Sequence, residues 1–255
     1  MVVSRMIERC LRTALWTVAA GFLLAFGGFV PGHVGAAHAM TLNFDTDDTG
    51  APLSPGAFDG TTAYDAFGIT ISSTGTLFLF NSNCGPDFPG TPCSGNDPDL
   101  ATGPTFGTDP QGNVLIIQDP DQVPPDVPND GDEGGTITFD FDTPTTLIQI
   151  AILDNDNTFS GGVNDGRGIF LEIFQDGVPG SSEIDVPVGS DNDLEVVAFG
   201  ALGIDVIQLV VNFPSSGAIA SLTAVPIPAA LPLLLSALAW LGWIVRRRRS
   251  GDATA

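Results

Sequence analysis

The residues of this chain that could do chemistry are carboxylates, and they occur in tight groups on short polar segments. The groups are Asp45, Asp47 and Asp48; Asp97 and Asp99; Asp130, Asp132 and Glu133; Asp154 and Asp156; and Asp191 and Asp193. Crowded oxygen atoms are what Ca²⁺ requires, because it takes about six to eight oxygen ligands at 2.3–2.6 Å. Cation binding is therefore the first chemistry that the sequence indicates.

The strongest candidate cation site is the run Asp154, Asn155, Asp156 and Asn157, in which every side chain carries oxygen. It is not an EF-hand loop, because Phe159 stands where that loop needs its turn glycine. We predict a structural Ca²⁺ site at these four residues, completed by another strand end. The alternative is an acidic surface that is simply solvated and keeps the protein soluble.

The central part of the chain is almost free of cations. Residues 40–225 hold 28 of the 30 acids, the other two being Glu8 and Asp252, and Arg167 is the one cation among them, so their formal charge is −27. Arg167 is expected to pair with a neighbouring Asp. This charge excludes nucleic-acid binding through phosphate neutralisation.

This segment contains no histidine, lysine or tryptophan. Most of the common catalytic sites therefore cannot form in it. Ser–His–Asp and Cys–His nucleophiles, histidine zinc sites and Schiff-base lysines are all excluded. We therefore expect a protein that is not an enzyme. The alternative is an extracellular glycoside hydrolase or carbohydrate-binding protein that uses paired carboxylates, since a glycosidase needs only two.

A long loop rich in Gly, Pro and Asp, Asn81–Gly112, contains two cysteines, Cys84 and Cys93. Outside the cytoplasm these two are expected to form a disulfide, and the alternative is two free thiols. Their spacing is not that of a CxxC redox or metal site. Tyr64, the single tyrosine, is expected to be a core or rim aromatic rather than a platform for sugars.

The first 39 residues have the pattern of a secretory signal peptide. A basic stretch ending at Arg12 precedes the apolar run Ala14–Val30. Small residues at Ala37 and Ala39 suit signal peptidase, so cleavage is predicted between Ala39 and Met40. The alternative is an uncleaved membrane anchor.

A second apolar run, Ala229–Val245, lies near the other end and carries no charge. Its length of about 17 residues corresponds to roughly 25 Å of helix, near the lower limit for crossing a bilayer. Four arginines follow at once: Arg246, Arg247, Arg248 and Arg249. The positive-inside rule keeps such a cluster in the cytoplasm, so this helix would hold the acidic body outside the inner membrane. A buried C-terminal helix of the folded domain is the alternative.

The order of these C-terminal features resembles a known class of sorting signals. Val225, Pro226, Ile227, Pro228 and Ala229 precede the apolar run and the arginine cluster, as in the VPLPA-like variant of the bacterial PEP-CTERM signals. Ile227 stands where the commonest form has glutamate. The resemblance implies cleavage near the proline motif by a membrane-embedded exosortase, and a role at the cell surface in association with exopolysaccharide. Prolines also favour the extended backbone that proteases bind.

The two predicted targeting segments, the signal peptide and the C-terminal sorting signal, are here called the tags, and the chain between them is called the body. The body is predicted to be all-β, because it has short alternating segments and no sustained helical period. The predicted strands are 41–44, 68–73, 77–81, 113–118, 136–141, 145–153, 168–175, 183–186, 194–199, 206–213 and 218–224. Apolar rows are expected at Ile137, Phe139 and Phe141, at Ile148, Ile150 and Ile152, and at Ile207, Leu209, Val211 and Phe213. Two sheets that bury these rows against each other predict a β-sandwich of jelly-roll type.

The predicted organisation is a signal peptide at 1–39, an extracytoplasmic β-sandwich at 40–224, a sorting signal at 225–249 and a short tail at 250–255. The body also resembles the ectodomains that precede PEP-CTERM tails, from LNFDTD through DGDEGGTITFDF. Together these features predict an exported surface or matrix protein, anchored transiently in the inner membrane and then processed. Its expected partners are signal peptidase, an exosortase-type enzyme and extracellular polysaccharide.

Overall fold

Short apolar segments separated by Gly, Pro and Asp fold into β-strands, as the alternation predicts. The computed structural model describes residues 39–95, 97–131, 133–155 and 168–226, together with Leu238 and Trp240. The strands are β1 (Met40–Leu42), β2 (Gly56–Ala57), β3 (Ile69–Ser73), β4 (Leu77–Asn81), β5 (Asn113–Ile117), β6 (Gly135–Leu153), β7 (Phe170–Gln175), β8 (Ser182–Asp185), β9 (Leu194–Ala198), β10 (Val206–Phe213) and β11 (Ala218–Pro226). Short 3-10 helices lie at Asp65–Phe67, Gly85–Asp87, Pro104–Phe106 and Gly200–Gly203. The all-β prediction is confirmed.

The strands form two antiparallel layers that share β6. The first layer has the order β3, first half of β6, β10, β7, β8. The second layer has the order β9, second half of β6, β11, β5, β4, β2. Strand β1 pairs with the same edge of β11 as β5 does, farther along the strand.

Strand β6 passes from one layer to the other, which corrects the prediction of two separate strands at 136–141 and 145–153. Its pairing with β10 runs through Asp140 opposite Gln208 and then jumps to Thr145 opposite Val206. Pro144 lies in this irregular stretch, where a residue without an N–H costs no ladder hydrogen bond. Pro144 therefore lies where β6 changes its partners within one strand.

The core lies between the two layers. Phe139 and Leu209 of the first layer and Leu115, Ile150 and Leu222 of the second belong to one buried cluster. A second cluster covers the opposite face of the second layer, where Phe80 and Val114 pack with Cys84 and Leu100 of the long loop. Because the second layer is buried on both faces, its central strand β5 is an uninterrupted apolar run after Asn113 rather than an alternating one.

Two residues of the predicted apolar rows face outward, and both lie at register shifts. Ile207 is 38% exposed and Ile148 is 44% exposed. The ladder shifts between Val206 and Gln208 and again between Thr223 and Ala224. Each irregularity changes which side chains reach the core. The rest of those rows is buried as predicted.

The two predicted tags fall almost entirely outside the described residues. Those outside include Ala37 of the cleavage site, Ile227, Pro228 and Ala229 of the proline motif, Arg246–Arg249 and the tail at 250–255. Leu238 and Trp240 are helical. Within the described part of the chain, no helix combines the length and the apolar character needed to cross a bilayer.

Candidate functional site

The predicted cation site is only partly described, and its second residue has a clear role in the fold. The Nδ2 of Asn155 donates to the carbonyls of Val186 (3.2 Å) and Pro187 (2.9 Å), while its Oδ1 accepts from the amide of Ile169 (2.9 Å). This buried carboxamide joins the end of β6 to the start of β7 and to the segment after β8. Asp156 and Asn157 lie outside the described residues.

Asp154 is buried and has a left-handed backbone, with φ of 62°. Its amide donates to the carbonyl of Asp193 at 3.0 Å, which fixes the turn after β6. Its carboxylate contributes to the negative field at Asp130, a residue from a different loop. The structure thus brings Asp154 toward a second acidic group that sequence alone did not connect with it.

Asp130, like Asp154, is a buried carboxyl group, and it is only 4% exposed. Its Oδ2 accepts a hydrogen bond from the amide of Gly217 at 2.7 Å. Burial, a side-chain hydrogen bond with Asp97 and the charges of Asp97 and Asp154 raise the pKa of Asp130 well above its usual range. The carboxyl groups of Asp97 and Asp130 therefore interact across two loops.

This acidic pair is not by itself a metal centre. Over 39–95, 97–131, 133–155 and 168–226, no three Asp, Glu, His or Cys side chains come together closely enough to hold a metal ion. The raised pKa of Asp130 favours its neutral form, and a neutral carboxyl beside Asp97 needs no cation to balance it. The Ca²⁺ site at Asp154–Asn157 stays a prediction.

Several of the other acidic residues are turn-forming groups. Asp47 Oδ1 accepts from the amide and hydroxyl of Thr49 and from the amide of Ala51, at 2.7–2.9 Å, and these bonds lower its pKa. Asp59 makes the same kind of contact with Thr61, two residues ahead. Asp193 accepts instead from the amide and hydroxyl of Ser190, three residues before it. Such turn contacts explain why acids concentrate between strands without invoking a ligand.

The long loop is tied down, and its disulfide is confirmed. Cys84 and Cys93 are joined by an S–S bond of 2.09 Å with their Cα atoms 4.8 Å apart. The Nδ2 of Asn192 donates to the carbonyls of Pro98 and Ala101, both at 2.9 Å, which holds the loop to the segment before β9. The loop serves as a cover for the second layer.

The solvent side of the first layer is a broad polar surface, here called the outer polar face. Its members alternate with the buried residues of β3, β6, β10 and β7: Thr70, Ser72, Thr136, Thr138, Asp140, Phe170, Glu172, Phe174, Gln208, Val210 and Asn212. Gln208 Nε2 donates to Asp140 Oδ1 at 2.6 Å, and Asn212 Nδ2 donates to Glu172 Oε2 at 3.1 Å. Two carboxylate–carboxamide pairs on neighbouring strands present planar hydrogen-bonding groups suited to hydroxyl-rich ligands.

Strands β1 and β11 bring the two ends of the body together. Met40 lies opposite Ala224, Thr41 opposite Thr223 and Leu42 opposite Leu222. The hydroxyls of Thr41 and Thr223 are 3.1 Å apart and can bond to each other. The predicted N-terminal cleavage point and the start of the proline motif thus lie in neighbouring strands.

A cavity of about 430 Å³ lies beside these ends and is lined by residues that include Met40, Asp47, Tyr64, Phe67 and Pro226. The Tyr64 ring stacks on Phe67 with centroids 6.3 Å apart. Its hydroxyl donates to the carbonyl of Thr46 at 3.1 Å, and burial raises its pKa. Tyr64 is 1% exposed, so its prediction as a core aromatic is confirmed.

Comparisons with known proteins give little support for any assignment. No family model and no curated protein matches the chain. One solved structure with local similarity is the crystal structure of the F5/8 type C domain of a protein from Bacteroides fragilis, at 12% identity and a TM-score of 0.25. The match covers 36% of this chain and 66% of that one, slightly less than two thirds. A TM-score this low carries no weight for fold or function.

Proposed function

We propose that this chain is an exported cell-surface or matrix protein, sorted by a PEP-CTERM-like tail and associated with exopolysaccharide through a non-enzymatic β-sandwich of jelly-roll type. The observation that carries the proposal is the order of three features near the C-terminus. The proline motif Val225–Ala229 precedes the apolar run Ala229–Val245, and the cluster Arg246–Arg249 follows. The body begins after a signal peptide and is processed by signal peptidase.

Three properties of the body support this proposal. The disulfide Cys84–Cys93 suits an oxidising compartment. The formal charge of −27 on residues 40–225 keeps copies apart in solution and favours divalent cations as bridges to anionic polymers. The pairing of β1 with β11 brings Met40 beside Ala224, so the two ends of the body that adjoin the proposed tags lie in neighbouring strands.

The arginine cluster provides the test. Replacing all four arginines by alanine removes the cytoplasmic anchor, so the tail is expected to remain uncut in a host that carries the sorting enzyme. The matched control replaces them by lysine, which preserves the charge and so the membrane orientation. The measurement is the intact mass of the recovered protein. An alanine variant processed like the unsubstituted chain would contradict the proposal.

The outer polar face favours carbohydrate as the ligand of the body. Its carboxylate–carboxamide pairs, Asp140 with Gln208 and Glu172 with Asn212, can bind sugar hydroxyls as both donors and acceptors. Affinity electrophoresis through gels containing polysaccharide measures this binding. The double variant Q208A/N212A is expected to lose its retardation, while Gln149→Ala, an exposed glutamine on the second layer, serves as the matched control.

The hydrolase alternative gains no support from the buried acids. Two catalytic carboxyls stand about 5–5.5 Å apart in retaining glycosidases and 6.5–9.5 Å apart in inverting ones, with the substrate between them. Asp97 and Asp130 are instead hydrogen-bonded to each other, and Asp130 is buried.

A further inference from the structure

The cavity beside the ends of the body has an aromatic wall that is firmly supported. The ring of Tyr64 packs edge-on against Phe44 and tilted against Phe58, with centroids 6.2 and 6.3 Å apart. Phe67 stacks on Tyr64 at an interplanar angle of 12° and stays 39% exposed. Tyr64 and Phe67 both line the cavity, so an exposed aromatic ring on a fixed support faces any ligand there.

A carboxylate, Asp47, lines the same cavity and is also held in place. Its Oδ1 accepts hydrogen bonds from Thr49 and Ala51, which lower its pKa and keep it ionised at neutral pH. The neighbouring Asp48 ties this turn to the aromatic wall, because its Oδ2 accepts from the amide of Ala66 at 2.5 Å. The carboxylate and the aromatic ring are therefore positioned before any ligand binds, which lowers the entropy cost of binding.

The cavity lies in a negative field that its surroundings do not neutralise. Burial, together with the charges of Asp45, Asp47 and Asp48, raises the pKa of Tyr64. Among the residues of the body that the structure describes, none is a lysine, arginine or histidine. The same residues bring no three Asp, Glu, His or Cys side chains close enough to hold a metal ion. The charge complement of this cavity is thus a cation that needs few carboxylate ligands, as an organic ammonium group does.

The rest of the lining fits an amine carried by a sugar ring. Met40 and Pro226 add apolar surface to the cavity. Thr41 and Thr46 add polar groups. A ring with hydroxyl groups at its edge, C–H groups on its faces and one positive charge matches this mixed lining. The volume of about 430 Å³ also lies within the range of small-molecule sites, about 300–1,000 Å³.

We propose that this cavity binds a protonated amino sugar of a cationic polysaccharide, with Phe67 against the sugar and Asp47 as the counter-ion of its ammonium group. Such a group is attracted both to the face of an aromatic ring and to a carboxylate that accepts its hydrogen bonds. The assignment to a sugar rests on the proposed function, which supplies the polysaccharide partner. A polymer that carries its own positive charges binds this acidic body without a bridging metal ion.

The test compares two trisaccharides that differ in N-acetylation. Isothermal titration calorimetry is carried out on the full chain in uncharged detergent micelles, at low salt and mildly acidic pH. The glucosamine trisaccharide is protonated there, whereas the N-acetylglucosamine trisaccharide is neutral. We expect the glucosamine trisaccharide to bind roughly fivefold more tightly or better, because the ion pair and the cation–π contact both need its charge. Equal affinities would overturn the inference.

The titration involves neither export nor the sorting enzyme, so its outcome is separate from that of the proposed function. Equal affinities for the two trisaccharides would leave export and sorting standing as proposals. A tail that remains uncut in the cell would refute sorting and leave the measured binding unchanged.

Two matched variants separate the cavity from the general attraction of an acidic protein for cations. Asp47 and Asp59 each accept hydrogen bonds from the threonine two residues ahead, but only Asp47 lines the cavity. Asparagine removes one charge in each case and keeps an acceptor oxygen for the turn. We expect Asp47→Asn to bind the glucosamine trisaccharide roughly fivefold more weakly, and Asp59→Asn to change its affinity by less than about twofold. Equal losses in the two variants would refute the site.

The aromatic wall and the outer polar face are tested in the same titration. Phe67→Leu keeps an apolar side chain at this exposed position, and we expect it to weaken binding roughly two- to fivefold. Unchanged affinity in Phe67→Leu would contradict the role of the ring. Q208A/N212A should bind the glucosamine trisaccharide as the unsubstituted chain does, and a loss there would place the site on the outer polar face instead. If Asp47→Asn does not fold, Phe67→Leu and the two trisaccharides decide.

Discussion

Removing the disulfide tests how the long loop is held on the second layer. Cys84 is fully buried, and its bond to Cys93 closes a ring with a sequence separation of 9. For a ring of that separation, the loop-entropy relation gives about 2.6 kcal/mol of stability at 25 °C. The double variant C84A/C93A is therefore expected to lose roughly 2–3 kcal/mol, which lowers Tm by about 5–10 °C in a body of this size.

The assay is urea unfolding followed by circular dichroism, with and without a reducing agent. Reduction of the unsubstituted protein opens the same ring without removing a sulfur atom, so it separates ring closure from the loss of packing at Cys84. C84A/C93A should not respond to the reductant. A loss below about 1 kcal/mol on reduction would refute the claim that this ring restricts the unfolded chain.

The remaining predictions concern the acidic groups and the aromatic cluster. Asp130→Asn is expected to stabilise the protein at neutral pH, because the pKa of Asp130 is raised by burial and by Asp97. A raised folded pKa gives stability that is complete below the unfolded pKa of about 3.9 and is lost as pH rises through the folded pKa. The free energy of unfolding of the asparagine variant should thus exceed that of the unsubstituted protein by an amount that grows with pH and vanishes in acid. Equal urea midpoints at neutral pH would contradict this prediction. Tyr64→Phe should lower the free energy of unfolding by about 0.5–1.5 kcal/mol in the same assay, because the carbonyl of Thr46 loses its hydrogen-bond donor. An unchanged free energy of unfolding would show that water replaces this bond. Millimolar Ca²⁺ should raise Tm, reversibly with chelator, and the effect should shrink in Asp154→Asn; an unchanged Tm on adding chelator would rule out a specific site at Asp154–Asn157.

The strand content could be predicted from the sequence because alternation is a local property. The row Ile137, Phe139 and Phe141 is buried as predicted. Strand β2 was missed, because Gly56–Ala57 offers two small residues and no alternation. The outward turn of Ile207 depends on a register shift against β6, which no local pattern reveals.

The candidate sites were harder to predict because they depend on contacts between distant segments. Asp97 and Asp130 belong to separate loops, and each looked like a member of a solvated acidic group. Only the fold shows that Asp130 is buried against Gly217 and Asp97. Cys84 and Cys93, by contrast, are the two cysteines of the predicted exported body, and their location in an oxidising compartment was sufficient to predict their bond.

The mass of the mature protein recovered from outside the cells of its host tests the central claim most directly. Sorting predicts a chain that begins at Met40 and ends between Val225 and Ala229, with the arginine cluster removed. An intact chain of 255 residues, dissolved in the cytoplasm with both tags still present, would contradict the account.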